Sequence, residues 1–156
     1  MTVNNKNPIF IFAAGGTGGH IMPALAIAEQ LKEVVPNAEI HFVGTVNGLE
    51  NQIVPSKGWR LHHITIGRLN KNVGWMERLT TILLLPWAFM QSVWLMVKLK
   101  PLAVVGTGGH ASGPVLLMAT LLGKKTFLWE PNAFPGLANR LLSPIVTHCF
   151  VIFEKT

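Results

Sequence analysis

Short, largely apolar runs alternate along this chain with longer stretches of helical character. Ile9 to Ala14, Glu39 to Val43, Leu61 to Ile66, Leu102 to Val105, Lys125 to Leu128 and Thr147 to Phe153 read as strands. The first is apolar on every residue, as in a strand buried on both faces of a parallel sheet. Ala24 to Glu33 has helical composition, with Pro23 where a helix could begin and Pro36 and Asn37 to break it. Gln52 to Lys57, the later part of Gly74 to Lys100, Pro114 to Leu122 and about Gly136 to Leu142 read as further helices. Strands alternating with helices predict parallel βαβ units in an α/β, doubly wound sheet. Ligands of such sheets bind at the carboxyl ends of the strands.

A chain of 156 residues suits one domain with a real core, and 49% apolar against 13% charged residues excludes a disordered one. The single cysteine, Cys149, has no disulfide partner and no zinc spacing. It lies in the apolar run Cys149 to Ile152 and is expected to be a buried thiol, consistent with a reducing cytoplasmic setting. Met1 to Pro8 is polar and the following apolar run is short, so the start does not read as a signal peptide. Lys57, Arg60, Arg68, Lys71, Arg78, Lys98 and Lys100 are opposed only by Glu77, so this middle segment carries a net charge equal to that of the whole chain, +6. A basic surface so localised points to an anionic partner: nucleic acid, anionic lipid or a phosphorylated substrate.

One pentapeptide occurs twice, as Gly16-Thr17-Gly18-Gly19-His20 and Gly106-Thr107-Gly108-Gly109-His110. Each copy follows an apolar strand and precedes a proline and an apolar helix. Glycines let backbone N–H groups approach an anion, and a helix N-terminus adds positive dipole. Two such loops on one sheet edge could hold the two phosphates of a diphosphate. Ile21 stands where a dinucleotide fingerprint needs glycine, and no lysine follows as in a P-loop. His20 and His110 end the loops, where a histidine acts as a general base or donates to phosphate, or only caps the turn. In a third loop, Glu130 and Asn132, with Asn139 in the helix beyond, are placed to hydrogen-bond sugar hydroxyls. Asn132 capping a turn and Glu130 in solvent is the alternative.

Leu79 to Val97 is a run of 19 residues without a charge. That nearly meets the roughly 20 apolar residues of a membrane span. Pro86, Gln91 and the surrounding α/β pattern argue against spanning. The run reads as a helix, kinked at Pro86, with one side buried. Its other side would present Leu84, Leu85, Trp87, Phe89 or Trp94 to a bilayer interface. Trp75, Trp87 and Trp94 suit the headgroup level, and Arg68, Lys71 and Arg78 suit anionic lipid. An ordinary core helix remains open.

Taken together, AAGGTGGHIMPALAIA, VGTGGHASGP and WEPNAFPGLANR resemble the N-terminal domain of the MurG family of bacterial N-acetylglucosaminyltransferases, in order and over nearly the whole chain. The resemblance implies a Rossmann-like domain forming the N-terminal half of a GT-B fold. It implies inverting transfer of N-acetylglucosamine from UDP-GlcNAc to lipid I, giving lipid II, at the cytoplasmic face of the inner membrane. Thr17, Gly18 and Gly19 match positions that approach the donor and the acceptor diphosphate. His20 matches the family's candidate for deprotonating the acceptor hydroxyl. Glu130, Asn132 and Asn139 match polar cleft residues, and the basic tryptophan-bearing segment matches a membrane-docking patch. Residues 1–156 would be the acceptor domain, inactive without a C-terminal donor domain in cis or in trans. No nucleic acid or cofactor is expected, and no catalytic metal, the sequence lacking aspartate altogether and any carboxylate cluster. Two motifs depart from the family. His110 stands where tyrosine is usual, and Trp129 and Pro131 replace the histidine and glutamine of the third loop. A membrane-attached half of a split dolichol-type transferase and a non-catalytic lipid-diphosphate-binding module are the alternatives.

Overall fold

A computed structural model of the chain describes residues 7–67 and 74–153. Arg68 and Lys71 fall outside them. The elements follow in the order β1 Ile9–Ala14, α1 Gly18–Val34, β2 Glu39–Gly44, α2 Glu50–Ser56, β3 Arg60–His63, α3 Trp75–Leu99, β4 Ala103–Gly108, α4 Ser112–Leu121, β5 Lys125–Glu130, α5 Leu137–Leu142 and β6 His148–Val151. The six strands form one sheet in the order β3-β2-β1-β4-β5-β6, with every neighbouring pair parallel. The fold is the expected doubly wound, Rossmann-like α/β sheet.

Side chains alternate between the two faces of a strand, and the sheet uses both. Phe12 and Ala14 of β1 join Ile40, Phe42, Val54 and the α1 residues Ile21, Ala24, Leu25 and Ala28 in one core. Ile11 and Ala13 join Val43, Val104, Leu128 and residues of α3, α4 and α5 in the other. A strand covered on both faces must be apolar throughout, which is why β1 is plain in the sequence. The Phe12 and Phe42 rings stack with centroids 5.4 Å apart.

On the α3 side of β2, His41 Nδ1 and His62 Nε2 lie 2.8 Å apart, and His41 Nε2 lies 3.1 Å from Glu39 Oε1. Burial first, then the nearby His41, Lys98, His63 and Arg60, push His62 below its ordinary value.

Three segments differ from expectation. α1 begins at Gly18 with Thr17 as N-cap, so Pro23 lies inside it. β4 runs on through Gly106 and Thr107 to Gly108, taking half of the second glycine motif into the sheet. β6 is an edge strand with all four residues exposed, so Cys149 is exposed rather than buried. Burial and the nearby Glu130 nonetheless push its thiol up.

β1 leads outward through β2 to β3, while β4 starts again beside β1 and leads through β5 to β6. The strand order therefore reverses between β1 and β4, and a crevice opens at their carboxyl ends. Gly109 closes it from behind. Its φ is +83°, and an added β-carbon would sit 2.1 Å from the Gly15 carbonyl oxygen. Gly18 has nothing within 4 Å of the same position.

Gly109→Ala is expected to lower the melting temperature by at least about 4 °C, since left-handed strain alone costs about 1–3 kcal/mol. Gly18→Ala should leave it unchanged or slightly raised. Calorimetric melts of the two variants check the contrast.

Candidate active site at the sheet switch point

A cavity of about 550 Å³ occupies the crevice, lined on the sheet edge by Gly15, Gly16, Thr17, His20, Gly108, Gly109, His110, Glu130 and Asn139. The two glycine motifs meet there, but not as copies. In the first, Gly16 turns the chain at φ +89°, Thr17 is extended, and Gly18 and Gly19 open α1. Their N–H groups have no acceptor within the helix and face outward at its positive end. In the second, Gly106 pairs with Ala13 and Gly108 with Ala14, Thr107 bulging between them. Gly108 and Gly109 then turn at φ +104° and +83°, and α4 starts only at Ser112.

Each motif's histidine packs on a glycine of the other. A β-carbon on Gly108 would lie 2.6 Å from His20 Nδ1, and one on Gly16 would lie 3.0 Å from His110 Cε1. The repeat thus encodes two turns that interlock.

The bonds at His20 settle its tautomer. Nδ1 lies 3.0 Å from the Thr107 carbonyl oxygen, which only accepts, so Nδ1 carries the proton. In the neutral ring the lone pair is then on Nε2, where a general base requires it. The Thr107 hydroxyl donates back to the His20 carbonyl at 2.6 Å, so one residue of the second motif grips His20 twice.

His110 is held through a group that sequence reasoning missed. Glu50 is fully buried. Its carboxylate accepts from Gly16 N–H at 2.9 Å, Thr45 N–H at 2.7 Å and the Thr45 hydroxyl at 3.0 Å. With its proton directed to Glu50, the Thr45 oxygen is an acceptor for His110 Nε2, 3.3 Å away. The carboxylate fills the space that side chains on Gly15, Gly44 and Gly48 would need, a Gly48 β-carbon falling 1.9 Å from Oε2. Those three glycines around one glutamate were the available signal. Because Gly16 N–H is taken by Glu50, the first motif offers a ligand the N–H groups that follow it. Burial pushes the Glu50 carboxyl up. The hydrogen bonds from the backbone of Thr45, Gly16 and Glu50 itself and from the Thr45 hydroxyl together outweigh burial and hold it below the ordinary carboxylate value.

Glu130 is not solvated. It is 2% exposed. Oε1 accepts from Asn132 N–H at 2.9 Å and Asn132 Nδ2 at 2.8 Å, and Oε2 from Asn139 Nδ2 at 2.8 Å. It braces the third loop. Asn132 is exposed beside it. Asn139 is buried, lines the cavity, and keeps Oδ1 without a partner. Asn139 is therefore the group of this loop ready to accept a hydrogen bond from a ligand hydroxyl. Among the described residues, no three His, Cys, Asp or Glu side chains gather as a metal-binding group.

α3 covers the other side of the cavity, and its faces are inverted. Thr81, Ala88, Ser92, Leu95 and Met96 are buried, and the Thr81 and Ser92 hydroxyls donate to the Glu77 and Ala88 carbonyls within the helix. Trp75, Met76, Leu79, Ile82, Leu83, Trp87, Met90, Trp94 and Val97 are exposed. Of the expected docking residues, Trp75 and Trp87 are on that outer face. Leu84 and Arg78 are half-buried, and Leu85 and Phe89 line the cavity instead. The helix is long and apolar enough to cross a membrane, yet one side of it belongs to the core.

Glu50→Gln keeps the shape but turns one acceptor into a donor facing donors, at a cost of about 1–3 kcal/mol. A carboxyl depressed in the fold stabilises fully above its unfolded pKa, and that contribution is lost as pH falls through the folded value. The deficit of Glu50→Gln in urea melts should therefore be full at neutral pH and shrink as pH falls below the ordinary carboxylate value.

Similar proteins agree with this geometry. The model of the glycosyltransferase family 28 N-terminal domain matches residues 10–151. The UDP-N-acetylglucosamine–N-acetylmuramyl-(pentapeptide) pyrophosphoryl-undecaprenol N-acetylglucosamine transferase of Bdellovibrio bacteriovorus is 50% identical over 155 residues, 99% of this chain and 42% of that protein. The transferase of the same name from Carboxydothermus hydrogenoformans is 47% identical over 93% of this chain and 39% of its own length. The crystal structure of Acinetobacter baumannii MurG superposes with a TM-score of 0.82 at 31% identity, over 96% of this chain and 43% of that one. The chain thus spans about two fifths of the length of the curated relatives it matches. It belongs to the glycosyltransferase family 28 N-terminal domain family.

Proposed function

We propose that this chain is the acceptor-binding half of an enzyme that transfers N-acetylglucosamine from UDP-GlcNAc to lipid I, the diphosphoryl-undecaprenol-linked muramyl pentapeptide, giving lipid II. The observation that carries this reading is the interlocked pair of glycine turns with His20 held in the base-competent tautomer. The N–H groups at the start of α1 and the α1 dipole hold diphosphate charge. His20 Nε2 takes the proton of the acceptor hydroxyl as that oxygen attacks the sugar's anomeric carbon from the face opposite UDP, so the configuration inverts. Asn139 Oδ1, braced through Glu130, accepts from a hydroxyl of a bound sugar. The donor's uridine diphosphate is held by a second domain, in cis or in trans. Relatives with the transferase name, more than twice as long as this chain, support that division of labour.

The same reading gives α3 its task. Its outer face lies in the interface of an anionic membrane, with Trp75, Trp87 and Trp94 at headgroup level and the basic segment around it drawn to acidic lipid. Peripheral attachment on the cytoplasmic face brings the cavity to the lipid-linked acceptor.

Joined to a donor domain of a relative, the chain should transfer N-acetylglucosamine to lipid I, and His20→Ala should lower kcat by about 10²–10⁴-fold. Turnover at the wild-type level in His20→Ala would remove the base assignment. The chain should also sediment with phosphatidylglycerol vesicles at about 50 mM salt and far less at about 500 mM. Leu83→Glu combined with Trp87→Glu should abolish that binding, and persistence of binding in the double variant would count against the docking face.

A further inference from the structure

The cavity has a second wall of a different chemistry. Leu85 and Phe89 of α3, Leu117 of α4, Leu137 and Leu141 of α5 and Ile145 just beyond it line it away from the sheet edge. The last three are 57%, 66% and 44% exposed, so the wall is an open groove and not sealed core. Its floor is small. Gly113 lies where a β-carbon would touch Ala138 at 3.6 Å, an ordinary contact between α4 and α5. Among the described residues, the only carboxylate lining the cavity is Glu130, whose oxygens already accept from Asn132 and Asn139. The side chains of this second wall offer a charged peptide or a sugar nothing to pair with. Apolar surface left open in this way gains free energy only from an apolar occupant.

That occupant has to be continuous with an anion, because the groove runs directly into the glycine turns. Phe89 also follows Ile82 by seven residues, two helical turns, and so stands on nearly the same line of α3. Ile82 is on the exposed outer face, so Phe89, which lines the cavity, shares a line of α3 with that face.

We propose that the groove between α3, α4 and α5 is a subsite for the first isoprene units of a polyisoprenyl diphosphate, the chain leaving the glycine turns past Leu141 and Phe89 before it reaches the membrane. This rests on the acceptor reading above and adds to it a route for the tail through the protein, not over the outside of α3. The tail then contributes to recognition. An acceptor bearing a short chain is gripped more tightly than its headgroup alone, and the diphosphate is fixed from both sides.

Titration calorimetry of this chain with inorganic diphosphate and with geranyl diphosphate tests the assignment. Geranyl diphosphate is expected to bind at least about tenfold more tightly, with a more negative heat-capacity change. Leu141→Glu, at an exposed position that tolerates a charge, should bring its affinity down to that of inorganic diphosphate. Leu121→Glu, on the exposed side of α4, should preserve the preference. Equal affinities for the two ligands would overturn the groove while leaving the diphosphate reading of the glycine turns standing. Loss of the preference in Leu83→Glu and not in Leu141→Glu would put the tail on the outer face of α3 and likewise overturn it. No binding of either ligand would sink both readings.

Discussion

The backbone of Gly109 lies against the Gly15 carbonyl so closely that no β-carbon fits between them, and the rest of the site follows from that approach. It draws the loop after β4 over the loop after β1. It lets His20 settle on Gly108 and His110 on Gly16, and it brings Thr107 within reach of both polar ends of His20. A bulkier residue at either glycine would separate the turns, and the histidines would lose their seats. Glu50 performs the same service from beneath. A buried carboxylate is costly unless its oxygens are satisfied. Here they are satisfied by the N–H of Gly16 and by Thr45, so the loop is pinned by the group that needs it.

The sheet was legible because burial on both faces leaves little choice of residue. β1, β2 and β4 were placed within a residue at their starts, each sending side chains to both cores. The ends were less legible for a shared reason: glycine was read as the end of an element. In β4 it continues the strand, because Gly106 and Gly108 pair with β1. In α1 glycines open the helix, with Thr17 supplying the extended cap. The proline read as a start lies within the helix. Cys149 was misplaced because an apolar run predicts burial only when something covers it, and β6 is an edge.

Of the site, the glycine motifs and histidines were visible, and their asymmetry was not. Glu50 was missed because its partner Gly16 lies 34 residues away, and the nearby Gly44 and Gly48 that make room for it carry no chemistry of their own. Glu130 was seen as a polar group of the cleft, and its bracing of Asn132 and Asn139 was not. Leu85 and Phe89 were assigned to the membrane because a helix apolar all round carries no phase in its hydropathy. Only packing shows which way it is turned. The hydroxyls of Thr81 and Ser92 marked the inner face, since each satisfies itself on its own helix and leaves a small, smooth surface to pack.

That inversion of α3 sets two different rules of change on one helix. The inner face is limited by volume: Thr81, Ala88 and Ser92 leave no room for growth against the core. The outer face has no such limit on volume, Leu83 and Met90 being 72% and 54% exposed. Substitution can therefore change what the outer face presents while leaving the inner packing untouched. What this helix shows and what it holds together are written on opposite sides of it.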